Sequence, residues 1–133
     1  MRIEGRMIRS GRWWAVEMRS LDVYSQARTR KEAYVMAKDA IECIDDYAFE
    51  VDVYPGTGNT FEVGSDSPLW LSFILRRLRL AKRLSLTEVA KLAGEKSRNT
   101  YARYERGLVI PNAVKLGHLI NVLDGRIILR SDS

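Results

Sequence analysis

The residues from Leu84 to Gly107 read LSLTEVAKLAGEKSRNTYARYERG, and this stretch decides the fold of the second half of the chain. Ser85 and Glu88 have the spacing of a capping box, in which a serine hydroxyl and a glutamate carboxylate bind amides at a helix start. Gly94 predicts the end of that helix, because a left-handed residue is inexpensive only without a Cβ. Ser97 is a favourable N-cap for a second helix. The pattern therefore predicts two short helices joined by a turn.

The second helix carries side chains that suit DNA recognition. Its first turn holds Arg98, Asn99 and Thr100, and Arg103 follows one turn later. Arginine can bind guanine with two hydrogen bonds, asparagine can bind adenine, and threonine can contact a thymine methyl group. A recognition helix enters the major groove with its N-terminal residues leading. The predicted DNA-contacting residues are Thr87, Lys96, Ser97, Arg98, Asn99, Thr100, Tyr101, Arg103 and Arg106.

This stretch resembles the Xre/Cro-type helix-turn-helix family. The resemblance rests on Ala-x-x-x-Gly from Ala90 to Gly94, on Tyr-x-Arg-Tyr-Glu-Arg-Gly from Tyr101 to Gly107, and on Pro111 followed by an apolar helix. It covers residues 69–125 in outline. The family usually has a single apolar residue between the glycine and the N-cap, whereas this chain has Glu95 and Lys96. The resemblance implies a transcription regulator that binds double-stranded operator DNA.

Charge divides the chain into two parts. Residues 1–68 hold nine basic and twelve acidic side chains, a net of −3, whereas residues 69–133 hold thirteen and five, a net of +8. The basic part suits a polyanion such as DNA, which the acidic part would repel. We therefore predict an N-terminal domain at 1–64, a linker at 65–68 and a helix-turn-helix domain at 69–133. A terminal strand is expected at Arg126–Arg130.

The first part of the sequence predicts a small antiparallel sheet covered by one helix. Four strands are expected at Met1–Arg9, Arg12–Met18, Val23–Arg28 and Phe49–Val53, with a short one at Thr60–Gly64. A Thr-x-x-Glu capping box at Thr29 begins the helix, whose apolar side chains recur at spacings of three and four. The predicted fold class is thus an α+β N-terminal domain followed by an all-α helix-turn-helix domain.

The N-terminal pattern resembles the HicB family of antitoxins. The matching stretches are GRWWAVEM (residues 11–18), SLDVYSQART (residues 20–29) and RKEAYVMAKDAI (residues 30–41). The resemblance implies a degenerate ribonuclease-H-like half domain that binds a small basic HicA-like toxin, an mRNA-cleaving protein. The family often has proline and glycine where this chain has Arg19–Asp22. HicB domains followed by an Xre-type helix-turn-helix occur in that family, so the two resemblances support each other.

Trp13 and Trp14 are the predicted toxin-binding residues. Adjacent strand residues point to opposite faces, so one tryptophan should enter the core and the other should be exposed. An exposed tryptophan is a frequent interface anchor. The acidic side chains add charge complementarity, since Asp39 to Leu75 contains eight acidic residues and no basic one.

The leading hypothesis is an antitoxin that neutralises its toxin and represses its own operon as a homodimer or higher homo-oligomer. A stand-alone repressor, whose first domain dimerises or binds a ligand, is the alternative. Catalysis is not expected, because His118 and Cys43 are single and no nucleophile–base pair or metal cluster stands out. Single-stranded RNA binding would require an aromatic stacking platform. We expect no cofactor, no metal, no membrane association and a cytoplasmic location.

Overall fold

The computed structural model describes residues 1–44 and 49–123. Within these residues, the first half of the chain forms one antiparallel sheet of five strands. The strands are β1 (Arg2–Ser10), β2 (Trp13–Met18), β3 (Val23–Ala27), β4 (Asp52–Pro55) and β5 (Thr60–Gly64). Their order across the sheet is β3-β2-β1-β5-β4, which leaves β3 and β4 at the two edges.

One face of the sheet is buried and the other is open. Along β1, Ile3, Gly5 and Met7 are buried, whereas Glu4 and Arg6 are exposed. A helix, α1 (Arg30–Glu42), covers the buried face with Ala33, Ala37 and Ile41. The alternation follows from the two-residue period of a strand, which sends every second side chain to the same face.

A glycine in β1 fits the close approach of an aromatic ring. A Cβ added at Gly5 would lie 2.3 Å from two ring atoms of Phe61 on β5. Phe61 pairs with Gly5 in the strand register and is fully buried. The ring of Tyr34, on α1, meets Phe61 edge to face at 6.1 Å. These contacts attach the helix to the centre of the sheet.

The predicted strand at Phe49–Val53 was wrong in its bounds. Phe49 and Glu50 are outside any strand, and β4 begins at Asp52. The alternation of apolar residues reflects burial against a helix instead, because Phe49 contacts Trp70 and Phe73 edge to face. The partner of β4 is β5, and the turn between them sets the register.

The second half is helical, as predicted. The helices are α2 (Leu69–Ala81), α3 (Leu86–Leu92), α4 (Arg98–Glu105) and α5 (Ala113–Leu123). The fold class is therefore an α+β sheet domain followed by an all-α region. The expected strand at Arg126–Arg130 lies outside the described residues.

Helix α2 packs against both halves of the chain. Trp70 and Phe73 stack at 5.7 Å, and the Trp70 indole donates a hydrogen bond to the Met1 carbonyl at 2.9 Å. Arg77 donates to the carbonyls of Leu21 and Asp22, at 3.0 and 3.1 Å, in the 3₁₀ turn (Arg19–Leu21) and its cap. The buried apolar residues of both halves form one continuous cluster through α2. The linker at 65–68 stays a prediction, but the helix after it joins the two cores.

Candidate nucleic-acid interface

Helix α3 begins with the predicted capping box. The Ser85 hydroxyl accepts a hydrogen bond from the Glu88 amide at 3.0 Å, and the Glu88 carboxylate accepts one from the Ser85 amide at 3.0 Å. The bond from the Ser85 amide is the main reason that the pKa of Glu88 lies below its ordinary value. The cap fixes where α3 starts, so that Val89 and Ala90 enter the core.

The turn between α3 and α4 is anchored to α5. Gly94 has a left-handed backbone with φ of 70°, as predicted, and the Glu95 amide donates to the Ala90 carbonyl at 2.8 Å. The carboxylate of Glu95 pairs with Lys115 at 2.9 Å and is nearly buried. Hydrogen bonding to Glu95 is the main cause that raises the pKa of Lys115. Glu95, one of two residues in a turn where the family usually has one, thus holds the turn against the last described helix.

Helix α4 begins at Arg98, with Ser97 as its N-cap. The Ser97 hydroxyl accepts a hydrogen bond from the Thr100 amide at 3.4 Å and lies 3.2 Å from the Thr100 hydroxyl. Gly107 follows the helix with φ of 73°. Arg98 and Asn99, the first two residues of α4, lie at the surface. Backbone amides in the first turn of a helix have no partner within the helix.

Most of the predicted DNA-contacting side chains are at the surface. Thr100 is half-buried, whereas the exposed members of the set are Thr87, Lys96, Ser97, Arg98, Asn99, Arg103 and Arg106. Among the described residues, no carboxylate forms an ion pair with Lys96, Arg98, Arg103 or Arg106. These four cations are therefore available to an external anion.

Tyr101 corrects the predicted set. Its side chain has no exposed surface, and its ring contacts Tyr104 edge to face at 6.3 Å. A ring that is fully buried in the core cannot reach a base edge from this position. Glu105 is the other buried residue of α4, and Tyr101 lies one helical turn before it on the same face. The spacing of four residues between them is the feature of the sequence that agrees with this outcome.

A buried ion pair holds α4 against α2. Arg79 Nε and Nη2 donate to the two carboxylate oxygens of Glu105 at 2.8 and 3.1 Å, and Arg79 Nη1 donates to the Leu84 carbonyl at 3.0 Å. The side chains are 13% and 6% exposed, so the pair is shielded from solvent. The two parallel bonds fix direction as well as distance. Arg79 belongs to the basic half of the chain, but its guanidinium group binds Glu105 and the Leu84 carbonyl and so stabilises the fold.

The two tryptophans occupy different environments. Trp13 is 40% exposed on the open face of the sheet, and Arg28 lies 5.4 Å from its ring. Trp14 is half-buried and packs against the core, with Arg9 at 5.4 Å from its ring. The predicted split between the faces is present, with Trp13 as the accessible member.

Other chemistry-bearing residues are dispersed. His118 and Cys43 are both exposed. Residues 1–44 and 49–123 contain no group of three or more histidine, cysteine or acidic side chains placed to hold a metal ion. Of the helices that the structure describes, none combines the length and hydrophobicity needed to cross a lipid bilayer.

Comparison with known proteins identifies the helical half. A family model described as a helix-turn-helix matches residues 75–127, which is about two fifths of the 133 residues. The match begins inside α2 and does not reach the sheet. No curated protein and no solved structure gives a significant match to the chain.

The match and the geometry define a class of protein. The matched region contains the capped α3, the turn at Gly94 and the exposed N-terminal turn of α4, in the order that a recognition helix requires. It supports a DNA-binding transcription regulator, and helix-turn-helix regions of this kind are typically not enzymes.

Proposed function

We propose that this protein is the antitoxin of a toxin–antitoxin pair and represses its own operon. The sheet domain binds and masks a small basic HicA-like mRNA-cleaving toxin, and α4 reads operator DNA. The mechanism is masking and competition for surface, without chemistry on a substrate. The HicB-like motifs at residues 11–18, 20–29 and 30–41 favour the toxin-binding part of this proposal.

The single observation that carries the DNA-binding part is the set of cations around α4 that have no ion-pair partner within residues 1–44 and 49–123. Arg98 and Asn99 lead the helix, and Arg103 and Arg106 follow on exposed positions. Arginine and asparagine bind base edges with two hydrogen bonds each, and cations elsewhere on the surface neutralise phosphates. The Arg79–Glu105 pair holds α4 against α2.

Two features support a protein partner on the sheet domain. Trp13 lies on the open face of β2, and three acidic side chains, Glu50, Asp52 and Asp66, surround a shallow groove at the β4 edge. Two strands, β1 and β5, lie between β2, which carries the tryptophan, and β4, which borders that groove. A partner that contacts both must cover the open face of the sheet. A basic toxin would complement the acidic edge, mainly by raising the association rate, while Trp13 would contribute most of the affinity.

The test uses the full chain, because α2 contributes to both cores. The chain is co-expressed with the protein encoded by the adjoining reading frame, and complex formation is measured together with relief of growth arrest. Trp13→Ala should weaken binding by about 2 kcal/mol, the size expected for a central aromatic anchor. Val35→Ala is the matched control, since Val35 is 60% exposed on α1, away from the open face.

A second candidate is a stand-alone repressor whose sheet domain dimerises the chain. The edge of β3 favours this candidate, since Val23–Ala27 carries no charge and pairs with no further strand among the described residues. Absence of any co-purifying partner, together with operator binding that depends on Arg98, would select it over the antitoxin. Loss of both activities in correctly folded protein contradicts both.

A further inference from the structure

The two edges of the sheet differ in how they are protected. The β4 edge carries Asp52 and ends at Pro55, and Lys38 donates a hydrogen bond to the Val51 carbonyl beside it. Charge and proline are the usual means of preventing an edge strand from pairing with another chain. The β3 edge, Val23–Ala27, has neither a charge nor a proline.

Among the described residues, no further strand pairs with the outer edge of β3. Within residues 1–44 and 49–123, the backbone groups of Val23–Ala27 form hydrogen bonds only in the ladder with β2. Tyr24 is 55% exposed and Gln26 is also exposed. The strand therefore presents a row of unpaired donors and acceptors, which favours pairing with a further strand.

We propose that the β3 edge pairs with the β3 edge of a second copy, antiparallel and centred on Ser25. This register matches all five residues of each strand. It places Val23 opposite Ala27 on the buried face and Tyr24 opposite Gln26 on the open face, so no like charges meet.

Charge complementarity selects this register. Asp22 and Arg28 flank the strand, and a two-fold axis at Ser25 sets Asp22 of each copy opposite Arg28 of the other. Neither residue has an ion-pair partner among the described residues. A shift of the centre by one residue in either direction shortens the overlap and separates these charges. A two-fold interface is self-complementary in this sense, since each residue meets the same partner twice.

This inference rests on the proposed repressor function and adds a dimer interface to it. Helix-turn-helix proteins commonly bind two half-sites as symmetric dimers. Arg77 links α2 to the carbonyls of Leu21 and Asp22, the residues that lead directly into β3. A dimer formed at β3 is thus connected through one hydrogen-bonded contact to the helices that would meet DNA.

The register gives a direct crosslinking test. Directly opposite residues in an antiparallel pair have Cα atoms about 4.5–5.5 Å apart, within the range of a disulfide, whereas diagonal neighbours lie at about 7–8 Å. Ser25→Cys is introduced into full-length protein carrying Cys43→Ser, which removes the only native cysteine. Gln26→Cys, on the same strand, and Asp52→Cys, on the β4 edge, are the controls.

We expect the Ser25→Cys protein to form a disulfide-linked dimer about tenfold faster than either control, because only its two Cα atoms would lie within disulfide distance. Faster crosslinking of Gln26→Cys overturns the register. Equal rates for Ser25→Cys and Asp52→Cys overturn the interface, even if the chain still binds operator DNA. A crosslink to another protein in place of the homodimer assigns the edge to a different partner and also overturns it.

Charge exchange provides a second readout. Arg28→Glu sets two acidic residues against each other at both ends of the interface, and should shift the monomer–dimer equilibrium toward monomer in sedimentation experiments. Adding Asp22→Arg restores the opposite charges and should restore the dimer. A dimer that is insensitive to Arg28→Glu, or that the double variant does not recover, contradicts the pairing of these residues.

Discussion

The arginines of α2 and of α4 belong to the same basic region but differ in what they contact. Arg79 is bound to Glu105 and Leu84, and Arg77 is bound to the carbonyls before β3. Arg98 and Arg103 on α4 are exposed and have no ion-pair partner among the described residues. The arginines therefore form two groups: those of α2 that stabilise the fold through internal hydrogen bonds, and those of α4 whose side chains are available to bind an anion. The comparison shows that net charge locates a polyanion-binding region without identifying the residues that contact it.

Arg79→Met should produce the largest loss of stability. Removing one member of a shielded pair leaves the Glu105 carboxylate uncompensated, so we expect a decrease of about 3 kcal/mol in the free energy of unfolding. Urea denaturation followed by circular dichroism measures it. Lys82→Met, at the exposed end of the same helix, should change stability by less than about 0.5 kcal/mol. Similar small effects for both variants would contradict a bracing role for Arg79.

Arg98→Ala tests the other group of arginines. We expect a loss of about 2 kcal/mol in operator affinity with relaxed sequence preference, because a base contact is removed from the leading turn of α4. Stability should be nearly unchanged. Fluorescence anisotropy with operator and scrambled duplexes measures both quantities. Arg12→Ala, an exposed arginine in the β1–β2 turn, carries the same charge change and should retain affinity. If both variants lost the same operator affinity, the effect of Arg98→Ala would be explained by net charge and not by a base contact.

Arg77→Ala should have an intermediate effect on stability. It removes two hydrogen bonds from a charged donor, and we expect a loss of about 1.5 kcal/mol in the free energy of unfolding. Arg77→Lys should recover only part of this loss, because an ammonium group cannot span both carbonyls as a guanidinium does. Thermal unfolding monitored by circular dichroism compares the three proteins. Full recovery by lysine would show that charge, and not geometry, matters at this contact.

Lys115→Met should have the smallest effect, with a distinctive pH dependence. The pKa of Lys115 is raised by its bond to Glu95, so the pair stabilises the fold fully below the ordinary lysine pKa. That contribution is lost as the pH rises through the raised value. The stability difference between wild type and variant should therefore shrink at alkaline pH. Lys91→Met, an exposed lysine on α3, should show no such convergence in pH-dependent urea titrations.

Local sequence determined the helix-turn-helix closely. Ser85, Ser97 and the glycines at 94 and 107 fix their own positions through caps and left-handed backbone, so they depend on neighbours a few residues away. For the same reason, α4 begins directly after Ser97 and ends before Gly107. The DNA-contacting residues remain a prediction, apart from Tyr101, which is buried in the folded chain.

Tertiary structure alone decided the contacts between distant segments. Several arginines occur in α2, and only the packing of the helices selects Arg79 as the partner of Glu105. The β4 strand was misplaced because its register depends on β5 and because Phe49 packs against a helix instead of a sheet. In α2, Trp70 and Phe73 contact Phe49 of the first domain, whereas Leu78 is buried further along the helix. Caps and turns act over one helical turn and can be read locally, whereas pairing partners require the folded chain.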